Sequence, residues 1–560
     1  MTDSLVASRQ LLNKNAWIFS MLWLLTFILY IPAAKAGWVI DAVGFLSGLQ
    51  HDGFWDFINR THSEDQSFYQ LFTLHYYVFY KIWGLNLWLW SLLYITVQSL
   101  NAYLLFLLCK TVFSDTGVKN GSVLALVAAF LFTINPHISE VVICKAYYHY
   151  LQSFFFILLI MLWVIRYQHT AGPKYIWFAA IIFFLCAFTL EIFYLIPFFV
   201  LSIALYYRFA LGFSRPLLKK TILWFVIPQV LMLCIYFVAL YTTFKYLKPH
   251  KIALTSSVID YLSKPPKYIF HIVCLGRFFP VPAKEKIYAF CESGIFLLVF
   301  YSLAASIFLY SVTHLKKLTF GSKALSLFGL WAALTIAFVV PLSFPGSALL
   351  VFYDRYTYFA DGFVYAFLAL FIGQMVSRCI GIALLCLYSV VNLYFTVRLN
   401  LYWKQSAYIN NRLLQDLPAP GNKTVILLNI PENMNGVPMI GAQPDGEYKS
   451  MREIFVDKSV PNKIYDAASY NMNTMDNGAH VMVINDSVIH VTLNQWGTWW
   501  WYEGHGAKSY ETTDYKLNLV DQGHWYELTL KHPADEYLLL YEVGSAWKTV
   551  DMSKKGQDQY

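Results

Sequence analysis

The stretch Asn135–Tyr150, "NPHISEVVICKAYYHY", places His137, Glu140, Lys145 and His149 between two nearly uncharged apolar runs. An ionisable group at such a position is costly unless it meets water or a partner. The turn therefore points to the water-facing end of two membrane helices. Glu140 and Lys145 could cap that turn as an ion pair, or Glu140 could orient a substrate. Glu191, in "LCAFTLEIFYLIPFF", sits in a tight apolar hairpin. It either does chemistry or caps a re-entrant turn. Arg355, between Asp354 and Tyr356, is suited to phosphate, because a guanidinium meets phosphate oxygens bidentately; the competing reading is a surface pair with Asp354. Arg277, in "CLGRFFPVP", is a second phosphate candidate. Lys264, Lys267, Lys284 and Lys286 lie around it, either near anionic lipid heads or in water. His137 and His149, with the acid Asp41, could ligate a divalent metal.

These residues need a membrane scaffold. Of 560 residues, 58% are hydrophobic and 13% charged, with 19% aromatic; a soluble domain carries about 25% charge. Mean hydropathy is +0.49. A span takes about 20 apolar residues, and about eleven such runs are present: 16–34, 88–109, 121–135, 148–166, 175–190, 192–211, 221–243, 293–312, 325–344, 359–376 and 379–398. The first is read as a retained helix, its apolar run being too long for a cleaved signal.

With the N-terminus in the cytoplasm, the inner segments carry Lys14, Lys110, Arg166, Arg208, Lys220 and Lys316 against Asp3 and Asp115 alone among acids. The remaining acids of this region fall outside or at outer helix ends. That is a positive-inside pattern, and it places the C-terminus outside. The net charge of +8 is thereby explained without nucleic acid. All eight cysteines precede residue 390, mostly in apolar runs, where they act as small apolar side chains. Beyond Pro418 short β-type runs appear, among them "TVILLNI", "SVIHVTL" and "YLLLYEV", broken by turn residues. The division is a membrane domain at 1–417, with a long first outer loop at 35–87, and a mostly β extracytoplasmic domain at 418–560. Within the latter, "NQWGTWWWYEGHG" is an aromatic cluster that suits either sugar stacking or core packing.

The ordered set "LFTINPHISEVVICKAYYHYLQSFFF", "LCAFTLEIFYLIPFF", "YDRYTYFADGFVYAFLAL" and "NLYWKQS" resembles the GT-C superfamily of membrane glycosyltransferases, in particular its protein O-mannosyltransferase-like branch. The resemblance covers about 35–415. It rests on Pro136, His137 and Glu140, on Glu191 and Pro197, and on Arg355, Tyr356, Tyr358 and Gly362. Leu190 stands where that branch usually has Lys. Asp41 in "GWVIDAVGFL" stands alone where two adjacent acids are usual.

The resemblance implies transfer of a sugar from a polyprenyl-phosphate donor to an acceptor outside the cytoplasm. A protein hydroxyl is the expected acceptor, and a lipid or cell-wall glycan the alternative. It implies Asp41 as catalytic base, with Asp52, Asp56, Glu64 and Asp65 as substitutes, and Glu140 in support. Arg355 and Arg277 would hold the donor phosphate. Glu191, His137, Lys145, His149 and Tyr356 would contact the acceptor or support the site, and a divalent metal is a possible cofactor. The bacterial inner membrane is the expected location. Competing classes are a transporter of lipid-linked sugars and an inactive relative.

Overall fold

The computed structural model describes residues 2–39, 41–59, 68–244, 258–340, 354–440, 447–456, 463–493, 509–520 and 525–560. Glu64, Asp65 and the 494–506 aromatic cluster lie outside them. The chain divides into two compact units. The first comprises Met1–Ile31, Phe54–Val142 and Tyr147–Val397; the second comprises Pro32–Gly53, Ile143–Ala146 and Arg398–Tyr560. The sequence reading divided the chain at 417/418, whereas the second unit also takes in part of the first outer loop and a short piece of the 135–150 turn.

The first unit is helical. Across the described residues, nine helices are long and apolar enough to cross a membrane. The sequence reading of about eleven spans is thus too high among the described residues, where a bent pair brings the count to at most ten. Gly121–Thr133 and Pro136–Ile143 form a pair bent by 51°, and Lys174–Cys186 is shorter than a span. The bend falls at Pro136, which has no N–H to donate and cannot continue the helix above it. Asn135 caps the new turn, its side chain accepting from the His137 N–H at 3.0 Å, with Pro136 at the first position, where proline is preferred. Leu87–Asp115 packs on Gly121–Thr133 and Tyr148–Thr170, and Tyr358–Met375 packs between Gly121–Thr133 and Phe320–Val339. Gly294–His314 leaves nearly all its surface outward. For an apolar helix that implies lipid as its surroundings.

The second unit is mostly β, as read. Strand Thr424–Leu427 is flanked in parallel by Tyr537–Val543 and Ile464–Asp466, and Ala546–Thr549 adds an antiparallel edge. A six-stranded antiparallel sheet includes His480–Val483, Val488–Thr492, Trp525–Leu530 and Tyr515–Val520. A third, small sheet joins Ile430–Met434, Val437–Pro438 and Ser469–Met472. Val425, Leu427, Val481, Leu517, Leu528 and Leu540 build the core, to which helix Asp41–His51 contributes Val43. Within the same unit the Lys145 N–H donates to the Gly37 carbonyl at 2.9 Å. Gly37 has φ +108°, and a Cβ there would come within 2.1 Å of the Ile143 oxygen, so only glycine fits this crossing.

Candidate active site: a buried ionic constellation in the helical unit

Asp354 and Arg355 open a 3-10 turn ahead of helix Tyr358–Met375. Adjacent in sequence, they reach different partners. Arg355 grips Glu140 twice: its Nη1 donates to Oε1 at 2.6 Å and its backbone N–H donates to Oε2 at 3.0 Å. The guanidinium lies over the Tyr147 ring, 4.5 Å from the centroid, and 5.1 Å from that of Tyr356. Neither local pairing considered from sequence is present. Glu140 pairs with Arg355 rather than Lys145, and Arg355 with Glu140 rather than Asp354.

Asp354 is completely buried and receives three groups. Arg277 Nη1 donates to Oδ2. His271 Nε2 lies 2.9 Å and His137 Nδ1 3.3 Å from Oδ1. One isolated buried carboxylate would be expensive, and this one is offset by a cation and two imidazoles. Thr357 links Asp354 to Asp361, its hydroxyl lying 2.9 Å from the Asp354 carbonyl and 3.1 Å from Asp361 Oδ2.

His137, His271 and Asp354 each aim one ligand atom at the others, all within 4.8 Å, and all three are buried. The hydrogen bonding favours a cation there. His137 Nε2 faces the His271 carbonyl at 3.0 Å. A carbonyl only accepts, so Nε2 carries the proton. Its Nδ1 then faces another acceptor, Asp354 Oδ1, and a second proton or a metal ion must lie between them. A carbonyl behind a ligating imidazole is the usual outer contact of metal histidines. Burial, with His137 beside it, holds His271 down at about 4, which keeps it a neutral ligand. Two imidazoles and a carboxylate thus fit a divalent ion.

The other sequence-selected residues lie elsewhere. His149 packs among rings, 4.6 Å from Phe72 and 4.7 Å from Tyr150, and is not part of the metal-capable cluster. Glu191 opens the 3-10 turn Glu191–Leu195 and accepts from the Tyr69 hydroxyl. Asp41 is exposed at the start of helix Asp41–His51 in the second unit, where a helix N-terminus favours a carboxylate. Lys145 belongs to that unit and is buried. His271 and Asp361 were not singled out from sequence. A signal existed for His271: Lys264, Lys267 and His271 follow helical i, i+3, i+7 spacing, which places them on one face.

No known protein family profile matches the chain, and no curated protein matches it. Solved structures to which it is similar include those of the Archaeoglobus fulgidus oligosaccharyltransferase. The form with zinc and sulfate is 13% identical over 80% of this chain and 62% of that one, with a TM-score of 0.38. The apo form is 10% identical over 74% and 62%, at 0.36. The form with an inhibitory peptide and a dolichol-phosphate is 12% identical over 79% and 63%, at 0.35. This chain therefore spans under two thirds of the length of those proteins.

Proposed function

We propose that the protein is a GT-C-type membrane glycosyltransferase that moves a sugar or glycan from a polyprenyl-phosphate-linked donor to an extracytoplasmic acceptor, a protein hydroxyl. The observation that carries this reading is the constellation at Asp354–Arg355. Arg277, two carboxylates and two histidines are buried, with Arg355 mostly covered beside them, in a membrane-type helical unit. A structural core would gain more from apolar packing than from so much desolvated charge, and ionisable groups within membrane helices are functional by default.

In this reading a carboxylate removes the acceptor hydroxyl's proton as its oxygen attacks the anomeric carbon, and the phosphate departs with the bonding electrons. Asp41 is assigned the base role from its place after the first span. Arg277 and Arg355 hold the phosphate, Glu140 fixes the Arg355 guanidinium, and Tyr356 covers its face. Glu191 and His149, joined through Tyr69, support the acceptor side, with Lys145 beside the turn. His137, His271 and Asp354 are the residues that would hold a divalent ion, whose chemistry is added positive charge for a leaving phosphate. The N-terminus is cytoplasmic, and the β-rich unit lies outside, in a bacterial inner membrane.

The test supplies full-length protein in nanodiscs with a radiolabelled pool of polyprenyl-phosphate sugars and periplasmic extract. Label on protein, released by alkaline β-elimination, is the expected result. Label in lipid or polymer would move the acceptor class. Donor crossing the bilayer without transfer would make the protein a transporter.

A further inference from the structure

Helix Gln70–Trp83 has 14 residues against the roughly 20 that a span needs. Its Leu74, Val78 and Ile82 are exposed at i, i+4 and i+8, the apolar stripe of a helix lying in the bilayer interface. Its other side meets two elements of the same unit. At its start the Leu71 N–H donates to the Phe188 carbonyl at 3.1 Å, and the Tyr69 hydroxyl donates to Glu191. One turn further on, His75 reaches Gln152 in helix Tyr148–Thr170, with Gln152 Nε2 lying 3.0 Å from His75 Nδ1. The next residue, Ser153, donates to the Thr189 hydroxyl at 3.0 Å. The two helices and the 186–191 turn therefore converge here.

The His75–Gln152 pair is neutral and incompletely met. Gln152 is 5% exposed, and among the described residues its Oε1 has no hydrogen-bond partner. An unmet buried amide oxygen is costly. His75 is half-buried, and burial holds it below its ordinary value, so its ring is uncharged and carries one proton. With Gln152 Nε2 donating to Nδ1, that proton lies on His75 Nε2. The pair then offers one acceptor, Gln152 Oε1, and one donor, His75 Nε2–H. With the Gln152 amide turned over the roles exchange, and one donor and one acceptor are still offered. A hydroxyl group answers both at once. A carboxylate or phosphate only accepts and an ammonium only donates, so each would leave half of the pair unmet. Phe79 and Tyr148 flank His75, with ring centroids 5.8 Å and 5.7 Å from its own. They supply apolar surface for the C–H side of a sugar ring.

We propose that His75 and Gln152 form a sugar subsite, which grips one ring hydroxyl of the glycosyl group carried by the lipid donor. Helix Tyr148–Thr170 begins directly after the turn that bears Glu140. Tyr150, in its first turn, is close enough to feel the charges of Arg355, Glu140 and Glu191 together, and Gln152 is two residues further along. The subsite thus adjoins the ionic constellation without belonging to it. The inference deepens the transferase reading and rests on it for what carries the sugar.

The experiment uses the full chain in nanodiscs and measures binding of polyprenyl-phosphate mannose, polyprenyl-phosphate glucose, the bare polyprenyl phosphate and the two free hexoses. Gln152→Leu keeps the volume and removes the amide, while His75→Phe keeps the ring and removes both nitrogens. Each should weaken the better sugar lipid by about tenfold, the usual worth of a hydrogen bond whose partner stays buried and unmet, and should leave the bare lipid unchanged. The double variant should lose little more than either single one, because both residues grip the same hydroxyl. The exposed Lys81→Gln should alter neither lipid. Equal weakening of sugar-bearing and bare lipid would mark the pair as structural and overturn the proposal. Unchanged affinity in both variants would leave only a buried water at Gln152 Oε1 and would also overturn it. So would a parent that binds neither sugar lipid more tightly than the bare one, or a free hexose that binds as tightly as its lipid-linked form. Sugar transfer by both variants with an unchanged donor KM sinks this inference alone. Sugar binding that depends on Gln152, without any transfer by the parent, sinks the transferase reading and leaves this one standing.

Discussion

The ionic pairs at 354 and 355 show why residue types can be legible when partners are not. Glu140 and Arg355 both stood out in sequence, yet each was weighed against a neighbour in the chain, Lys145 or Asp354. The real partner is 215 residues away, and only the fold brings them together. Their coupling is testable. Glu140→Gln removes the buried carboxylate that the mostly covered Arg355 guanidinium grips, which should cost about 3 kcal/mol. The double variant Glu140→Gln/Arg355→Gln should cost less than the two single changes added, because it removes both charges. Additive losses in melting experiments on detergent-solubilised protein would show the pair to be energetically idle. Asp41 makes the opposite case. It is exposed at a helix N-terminus, so Asp41→Asn should cost no more than about 1 kcal/mol of stability and lower turnover by roughly 10²–10⁴ if it is the base. Full turnover would pass the role to Glu140 and then to Asp52 or Asp56.

At the scale of elements, long apolar spans and period-2 strands were readable because burial dictates their composition. The helix Val258–Val273 was not, since a Lys-rich loop reads as solvated until its polar face is found turned inward. The parallel pairing of Thr424–Leu427 with Tyr537–Val543 was also hidden, because nothing local in either strand names so distant a partner. That strand pair carries a measurable liability. Glu542 is fully buried, accepts from the Tyr470 hydroxyl, and accepts from the Ser545 N–H at 2.7 Å. Burial nevertheless pushes its carboxyl up to about 7. The folded state thus holds a proton that the unfolded chain releases near pH 4.5. Stability from this group is complete below about pH 4.5, declines as pH rises, and is gone above about 7, a change on the order of 3 kcal/mol. Hydrogen exchange of the Tyr537–Val543 amides, corrected for intrinsic rate, should speed up across that window. Glu542→Gln should flatten the dependence, and an unaltered profile in that variant would assign it to another group.

For the whole molecule, the charge segregation argues for a cytoplasmic N-terminus, and the number of crossings then decides on which side the β-rich unit would lie. Nine crossings or eleven put the two termini on opposite sides; ten put them together. The element that decides parity is Lys174–Cys186. Its 13 residues rise about 20 Å, well short of a hydrocarbon core of about 30 Å. Three features argue that it crosses with local thinning or with help from flanking residues. Arg166 and Lys174 precede it, Glu191 follows it, and Arg208 ends the next helix, so the basic and acidic ends alternate as crossing requires. Reporter fusions after Gly172 and Lys220 should be active in the cytoplasm, and fusions after Thr189 and Tyr560 outside it. A cytoplasmic Thr189 fusion would make Lys174–Cys186 re-entrant. If the bent 121–143 pair still crosses, the count becomes ten, the β-rich unit moves inside, and Asp41 is separated from it by the membrane. Since Asp41 and that unit belong to one compact body, that outcome contradicts the structure itself, which makes the Thr189 fusion the most informative of the four.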